Sequence, residues 1–342
     1  TTDELHKAVL NDLERRKEWE DRQALFYDMR FDGLPRKFKP WPNAADLHFP
    51  LCDSMIEKVK PFYAQMLYTS EFLASFVERG EDHGQADLVA RWFDYEMKQK
   101  SCFEDQLLIL VDQMLQVGRG IMKIVWDEEL KKMLFEAINP TYFIVPFSTR
   151  DLLTVDHATH VQHYSLEAFK RKKQFDQDAI SKIAGGVDSD ALKDVKYLRE
   201  GITHGGNENQ IVIWETYERM DGGGWMIRWI APSAPNVEIR TPIKLVYKHG
   251  EIPFVDFPKE WTDAGWYAPR GIPDRHKHDE SYLTKLLNEK ADALTLYSRP
   301  YFTSQGDVPN AMNIKLIPGQ IMPFGITRVD MGQPPVVFDS EI

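Results

Sequence analysis

Residues 39–51 read Lys-Pro-Trp-Pro-Asn-Ala-Ala-Asp-Leu-His-Phe-Pro-Leu, and a helical pattern follows from Cys52. Proline fixes its own backbone and biases the residue before it toward an extended conformation. The stretch therefore predicts an extended arm that leads into a helix covering about residues 51–67. The apolar side of that helix is formed by Met55, Val59, Phe62 and Met66. Pro61 lies inside the helix and predicts a kink or a break.

Three further helices are predicted from apolar residues that recur every three or four positions. They are a charged helix over residues 4–28, a long helix over 85–116 with a bend at Ser101-Cys102, and a last helix over 274–299. Gly118 is placed to stop the second helix, and Pro300 is placed to stop the last one.

Strands are predicted between these helices, from alternating or β-branched runs that turn residues bound. They cover residues 72–78, a hairpin of 121–126 with 133–138, and a hairpin of 211–219 with 225–230. The expected fold class is α+β, with long helices and a β-rich module. We expect four parts, which are residues 1–50 (helix and arm), 51–207 (α/β core), 208–260 (β-rich module) and 261–342 (last helix and the start of a C-terminal region).

The composition describes an acidic protein with a core of ordinary size. The 342 residues carry a net charge of −11, and 12% of them are aromatic, which suits large cores or subunit interfaces. Proteins that grip nucleic acid usually present a basic face, so the charge argues against a sequence-specific DNA reader. A channel through which DNA slides is compatible with it, because weak attraction favours sliding.

Cysteine content and hydropathy indicate the compartment. Cys52 and Cys102 are the two cysteines, which gives neither a disulfide framework nor a zinc-type spacing. The first residues lack a basic-then-apolar leader, and the longest strongly apolar run, Leu107–Val111, is far too short to cross a bilayer. We expect a soluble protein with no membrane partner, assembled in a reducing cytoplasm.

Catalytic and metal-binding patterns are weak. The glycines at 222–224 are followed by no Lys-Ser/Thr, so they predict a hairpin turn and not a phosphate loop. His160 and His163 would point to opposite faces of a strand, and His276 and His278 would not face each other on a helix. We therefore expect no enzyme activity, no metal site and no cofactor.

Two later stretches are also marked by glycine or proline. Residues 118–127 read Gly-Arg-Gly-Ile-Met-Lys-Ile-Val-Trp-Asp and lead to Ile138-Asn-Pro140, and residues 267–273 read Tyr-Ala-Pro-Arg-Gly-Ile-Pro before the last helix. With residues 39–51 they occur in the order found in tailed-bacteriophage portal proteins, and the chain resembles that family over about 260 residues. Family members normally continue past this point, so the resemblance implies that crown and tunnel segments lie beyond residue 342.

The resemblance implies a ring, expected to be a dodecamer, at one vertex of the viral capsid. Such a head-tail connector is a conduit for packaging and ejection of double-stranded DNA without sequence specificity. Its partners would be the terminase, capsid or scaffold protein and head-completion proteins, and its location the virion. In that frame residues 51–207 are wing-like, and the last helix lies on the tunnel side.

Two groups of residues are candidate sites within that frame. For the subunit interface we select Pro40, Trp41, Pro42 and Phe49. Facing the channel we select Glu280, Lys285, Glu289, Lys290 and Asp292, whose mixed signs would prevent tight gripping of DNA. An ordinary solvated face explains the second group equally well. The basic stretch Arg36-Lys37-Phe38-Lys39 with Trp41 could instead contact nucleic acid, although an interface role is favoured.

Two rival functions stay open. A polysaccharide-active hydrolase would suit the tryptophan content and the acidity, but its paired carboxylates would need a separation that the sequence cannot supply. A phage structural protein other than the portal would assemble with a different symmetry.

Overall fold

The computed structural model describes most of the chain. The described residues are 2–31, 36–40, 44–68, 73–77, 84–128, 130–172, 174–183, 210–247, 249–298, 301–304 and 326–329. The chain divides into two compact units, and each is formed by segments that are distant in sequence. Unit 1 contains residues 1–33 and 50–277, and unit 2 contains residues 34–49 and 278–342. The four-part division expected from the sequence stays a prediction.

The helices fall close to their predicted positions. Their bounds are α1 Thr2–Phe31, α2 Leu51–Tyr68, α3 Ala86–Tyr95, α4 Phe103–Val117, α5 Leu166–Lys170, α6 Gln177–Lys182 and α7 Ile272–Ser298. Pro61 does not break α2, which continues to Tyr68. The bend predicted at Ser101-Cys102 is confirmed, because a π-helical turn at Glu96–Lys100 ends there and Cys102 adopts a left-handed conformation.

Helices α1, α2 and α4 of unit 1 meet around one buried arginine. Arg30 of α1 donates to Asp53 at 2.9 Å and to Asp112 at 2.9 Å and 3.0 Å, and it reaches Glu57 at 3.2 Å. Burial opposes ionisation of Asp112, but the hydrogen bonds and the charge of Arg30 lower the pKa of that carboxyl below its usual value. The guanidinium therefore ties together three helices that are far apart in sequence.

Two antiparallel sheets form the rest of unit 1. The first has the order β2-β1-β8, with β1 Arg119–Asp127, β2 Lys132–Ile138 and β8 Phe254–Pro258. The second has the order β3-β4-β5-β6-β7, with β3 Phe143–Ile144, β4 His157–Ser165, β5 Gln210–Arg219, β6 Trp225–Ile230 and β7 Ile243–Lys244. Both predicted hairpins are confirmed, and in the first hairpin Ile124 pairs with Phe135.

Side chains alternate between the two faces of each strand, and this divides the core. Ile121 of β1 faces Tyr217 and Phe254 in the layer between the sheets, whereas Met122 packs against α4. On the outer face of the larger sheet, Leu5 and Val9 of α1 cover Trp214 and Ile230. Strand β1 is therefore covered by the larger sheet on one side and by α4 on the other. Strand β5 is covered by the smaller sheet on one side and by α1 on the other.

Unit 2 contains an extended segment, most of one helix and a small sheet. Residues 36–40 and 44–49, which we call the arm, lie against the part of α7 from His278 onward. The small sheet pairs β9 Tyr301–Ser304 with β10 Ile326–Val329, and Thr303 lies opposite Thr327. Helix α7 ends at Ser298, two residues before Pro300, as the sequence predicts.

The strand expected at residues 72–78 is wrong for the residues that the structure describes there. Residues 74–77 have no regular secondary structure, and the amide of Leu73 donates to the Asp94 carboxylate at 3.3 Å. Phe76 packs edge-on against Phe93 of α3 at 5.7 Å. An α+β chain with antiparallel sheets is the fold class that the structure shows. Among its described helices, none combines the length and apolarity that a membrane span requires.

Candidate functional site

Unit 2 holds the arm on α7 by a row of side chains. The amides of Ala45, Leu47 and Phe49 donate to Asp292 at 2.7 Å, Asn288 at 2.8 Å and Thr284 at 3.2 Å, respectively. His48 lies beside Glu280, with Nε2 3.5 Å from Oε1. We call Glu280, Thr284, Asn288 and Asp292 the side-chain ladder.

The ladder depends on a match between two repeats. Four residues of a helix advance by about 6.0 Å, and two residues of an extended chain by about 6.6 Å. The arm runs antiparallel to α7, so every second amide meets the next helical turn. Asn288 also donates to the carbonyl of Leu47 at 2.9 Å, so its amide contacts both backbone groups of that residue, as a neighbouring strand would.

Asp292 is the ladder residue that contacts both the backbone and a cation of the arm. It accepts from Ala45 and from Arg36, whose Nη1 lies 2.5 Å from Oδ2, and Arg36 donates at 2.9 Å to the carbonyl of Ala45 as well. Burial favours the neutral carboxyl, but these donors lower the pKa of Asp292 below its usual value. Asp292 therefore fastens both Arg36 and Ala45 of the arm to α7.

The residues selected from the sequence as interface candidates lie on this arm. Pro40 is exposed, and Phe49 is 39% exposed. Trp41 and Pro42 lie outside the described residues. The structure thus places Pro40 and Phe49 at the surface of unit 2, and their contact with another subunit stays a prediction.

The five residues selected as channel-facing lie on α7, but they do not share one face. Glu280 and Asp292 are buried at the arm, with 2% and 6% of their surface exposed. Lys285 and Glu289 are exposed and lie 3.7 Å apart, one turn from each other. Lys290 is exposed, and it points about 100° away from Glu289 because the two are consecutive in a helix. Of these five residues, Glu280 and Asp292 contact the described part of the arm, and Lys285, Glu289 and Lys290 are exposed.

Two of the three motifs that carry the family resemblance meet in unit 1. Gly118 ends α4 with φ +101°, and a Cβ there would lie 2.5 Å from the carbonyl oxygen of Pro269. A Cβ at Gly271 would collide with the carbonyl of Gln116. Only glycine permits either approach. The end of α4 and the start of α7 are therefore in direct backbone contact.

The helix after the arm packs on the same junction. One hydrophobic cluster joins α2, α4 and the first residue of α7, and it contains Ile56, Val111, Met114, Leu115 and Ile272. The guanidinium of Arg119 lies 3.9 Å above the ring of Trp266, the residue just before the third motif. It also pairs with Asp256 of β8. Helix α2, the end of α4 and the start of α7 are widely separated in sequence, yet they pack together in unit 1.

A second polar assembly lies between the two sheets of unit 1. Glu215 accepts from Lys123 at 2.5 Å, from Gln162 at 2.7 Å and from Tyr217 at 2.8 Å. Its cross-strand neighbour His160 has Nδ1 at 3.8 Å. We call these five residues the buried charge cluster.

The charge state of the cluster follows from its partners. Burial would raise the pKa of the Glu215 carboxyl, but Lys123 and His160 lower it well below its usual value. Burial and the Glu215 charge raise the pKa of the Tyr217 hydroxyl. All five residues are within or next to the packed layer between the sheets. The cluster is therefore a buried group of paired polar side chains and not an open reaction site.

Within the described ranges, no three His, Cys, Asp or Glu side chains are grouped as metal ligands. His160 belongs to the buried charge cluster, while the His163 ring contacts the Tyr142 ring at 5.1 Å. Cys52 is buried, and Cys102 is exposed.

Thr284 and Asn288 were not selected from the sequence, although both support the arm. Their signal was present, because four side chains with hydrogen-bonding oxygens recur at four-residue intervals from 280 to 292. Leu47 was missed as well, since its outward position depends on which backbone edge of the arm faces α7. Lys123 and Glu215 had no sequence signal, because they lie in strands of different sheets.

A scan of known protein families finds no model that matches this chain. A search of curated proteins likewise finds no relative.

Proposed function

We propose that the chain is a portal protein of a tailed bacteriophage. It forms a ring at one capsid vertex, it conducts double-stranded DNA during packaging and ejection, and it serves as a docking platform for the terminase and head-completion proteins. It is not an enzyme in this proposal, and the energy for DNA movement comes from another protein.

The observation that carries the proposal is the contact between the second and third of the family-like motifs. Gly118 and Gly271 contact the backbone of each other's segment, and the helix after the arm packs on the same cluster through Ile56. Motifs that occur by chance in a chain have no reason to meet, whereas motifs that define a shared architecture do. The arm also contacts the helix that follows the third motif, through Leu47 and Asn288.

The charge distribution supports a conduit that does not grip DNA. The chain is acidic, with a net charge of −11. On α7, Lys285 and Glu289 present both signs at the surface. A wall of this kind gives weak phosphate contacts, since strong binding requires many unpaired cations that release counterions.

A mass measurement and an image test the proposal together. We expect the purified 342-residue chain to assemble into one closed species whose mass is an integer multiple of 39.8 kDa, and class averages should show rotational symmetry with a central hole. A monomer that hydrolyses polysaccharide would overturn the proposal in favour of a hydrolase. An assembly without a hole would indicate a different structural protein.

A further inference from the structure

The arm is oriented in an unusual way for a surface segment. Its backbone amides lie underneath, against the ladder, while large apolar side chains point outward. Phe38, Leu47 and Phe49 are 75%, 47% and 39% exposed. Leu47 and Phe49 share one side of the extended chain, because side chains alternate. Exposed apolar groups that gather on one side mark an interaction surface.

The charges of the arm are largely used up within unit 2. Arg36 pairs with Asp292, and Lys39 pairs with Asp46 at 2.7 Å. Lys37 is exposed and is the one basic side chain of the described arm for which the described residues offer no ion pair. A segment that binds DNA would keep several cations free for phosphates. An apolar surface with one free lysine instead fits a protein.

A second exposed apolar surface lies on α3 of unit 1. Leu88, Trp92 and Tyr95 follow one another at helical spacing and are 71%, 54% and 58% exposed, and with Val89 and Arg91 they line a shallow pocket of about 520 Å³. Asp87 is exposed beside them. This surface is apolar and aromatic, which suits the apolar side chains of the arm. Its exposed charges are Arg91 and Asp87, of opposite sign, so Lys37 would pair with Asp87.

We propose that the arm of one copy docks on the α3 surface of a second copy, with Lys37 next to Asp87. The inference rests on the proposed function and names its subunit contact. A ring closes through heterologous contacts, in which one surface of each subunit meets a different surface of the next. The chain carries two such unlike surfaces. The ladder fixes the arm before contact, which reduces the entropy lost on association.

Apolar substitutions test the contact without touching the ladder. Leu47 binds Asn288 through its backbone, so L47S with F49S removes only the outward side chains. We expect the double variant, and separately Trp92→Ser, to raise the concentration for half-assembly by about tenfold, as loss of a central apolar anchor does. The melting temperature of the dissociated chain should stay unchanged. Phe62→Ser, which removes another exposed apolar side chain, is the matched control and should leave assembly unaltered.

A charge exchange tests the pairing itself. We expect Lys37→Glu and Asp87→Lys each to weaken assembly about threefold, and the chain that carries both changes to assemble like the wild type. Mass photometry over a concentration series gives all values. The contact alone would be overturned if the wild type formed rings and these rings stayed intact in K37E, D87K, L47S with F49S and W92S. A wild type that forms no ring would overturn the proposed function as well.

DNA is the competing occupant of the arm, and its binding is measured by anisotropy of a labelled 30-base-pair duplex. We expect K37E to leave that anisotropy unchanged. A K37E chain that loses DNA binding and assembles normally would assign the arm to nucleic acid and would overturn the contact with a second copy.

Discussion

The buried charge cluster and the side-chain ladder use the same chemistry in different surroundings. In each, one carboxylate accepts from a cation and from other donors, with Lys123 on Glu215 in unit 1 and Arg36 on Asp292 in unit 2. The cluster lies between two sheets, where water cannot replace a lost partner. The ladder lies under a single extended segment at the surface, where water can. We infer that the first stabilises the fold and that the second sets the conformation of a surface.

The largest effect is expected from Lys123→Met. The change leaves the buried Glu215 charge without its cation, and breaking a buried ion pair on one side costs about 3–5 kcal/mol of unfolding free energy. Urea denaturation measures it. The matched control is Lys123→Met with Glu215→Leu, which should recover most of the loss because no charge remains buried. A single variant that loses less than about 1 kcal/mol would show that the cluster is hydrated.

Acid should produce the next effect, through the same carboxyl. A group whose pKa is lower in the folded chain stabilises the fold above its unfolded pKa and loses this contribution as the pH falls. Glu215 has an ordinary value of 4.5 and a lowered pKa in the fold. We expect the unfolding free energy of the wild type to fall progressively below pH 4.5.

The double variant K123M with E215L is the control for the acid experiment. It should lose less stability over the same pH interval, since the titrating carboxyl and its cation are absent. The effect in the wild type is smaller than that of K123M because protonation keeps the carboxyl in place, where it can still accept from Tyr217. Parallel pH profiles for the two proteins would contradict the assignment.

A smaller and local effect is expected from Asn288→Ala. The variant unpairs the N–H and the carbonyl of Leu47, at a cost of about 1 kcal/mol that water partly offsets. Hydrogen exchange of the Leu47 amide should accelerate about fivefold to tenfold, while global stability changes little. Glu289→Ala, one residue along α7 and exposed, is the control and should leave that amide unchanged. Equal exchange in both variants would mean that the ladder does not hold the arm.

The smallest effect is expected from Lys285→Ala. Lys285 and Glu289 form an exposed pair one helical turn apart, and such pairs contribute about 0.3–0.5 kcal/mol. Thermal unfolding should therefore shift by no more than a degree or two. A loss of about 1 kcal/mol or more, above the range of an exposed pair, would show that this face of α7 is covered in the assembled protein.

Much of the local structure could be predicted from the sequence, because it depends on neighbours along the chain. The helix after the arm, the stop at Gly118 and the cap of α5 by Ser165, whose hydroxyl accepts from Ala168, all follow local rules. The segment 73–77 shows the limit. Its apolar pattern suits a strand, but no strand of the described residues pairs with it, and its first amide is satisfied by Asp94.

The candidate site was predicted in part. The arm and the last helix were both selected, yet Glu280 and Asp292 were assigned to a channel surface, whereas the structure places them against the arm. A polar residue on a helix has the same sequence signature whether it contacts water, DNA or a backbone amide. The four-residue period identifies a stripe, but it does not identify what covers the stripe.

The sequence by itself determined the helices, the hairpins, the extended arm and the acidity of the chain, since each depends on backbone preference, side-chain period or composition. Only the tertiary structure decided that Asn288 would contact Leu47, that Glu215 would contact Lys123 and that Gly118 would meet Pro269. Lys123 and Glu215 are 92 positions apart in the sequence, and Leu47 and Asn288 are 241 positions apart. Local preference carries no information at such separations, so the packing of the whole chain selects the partners.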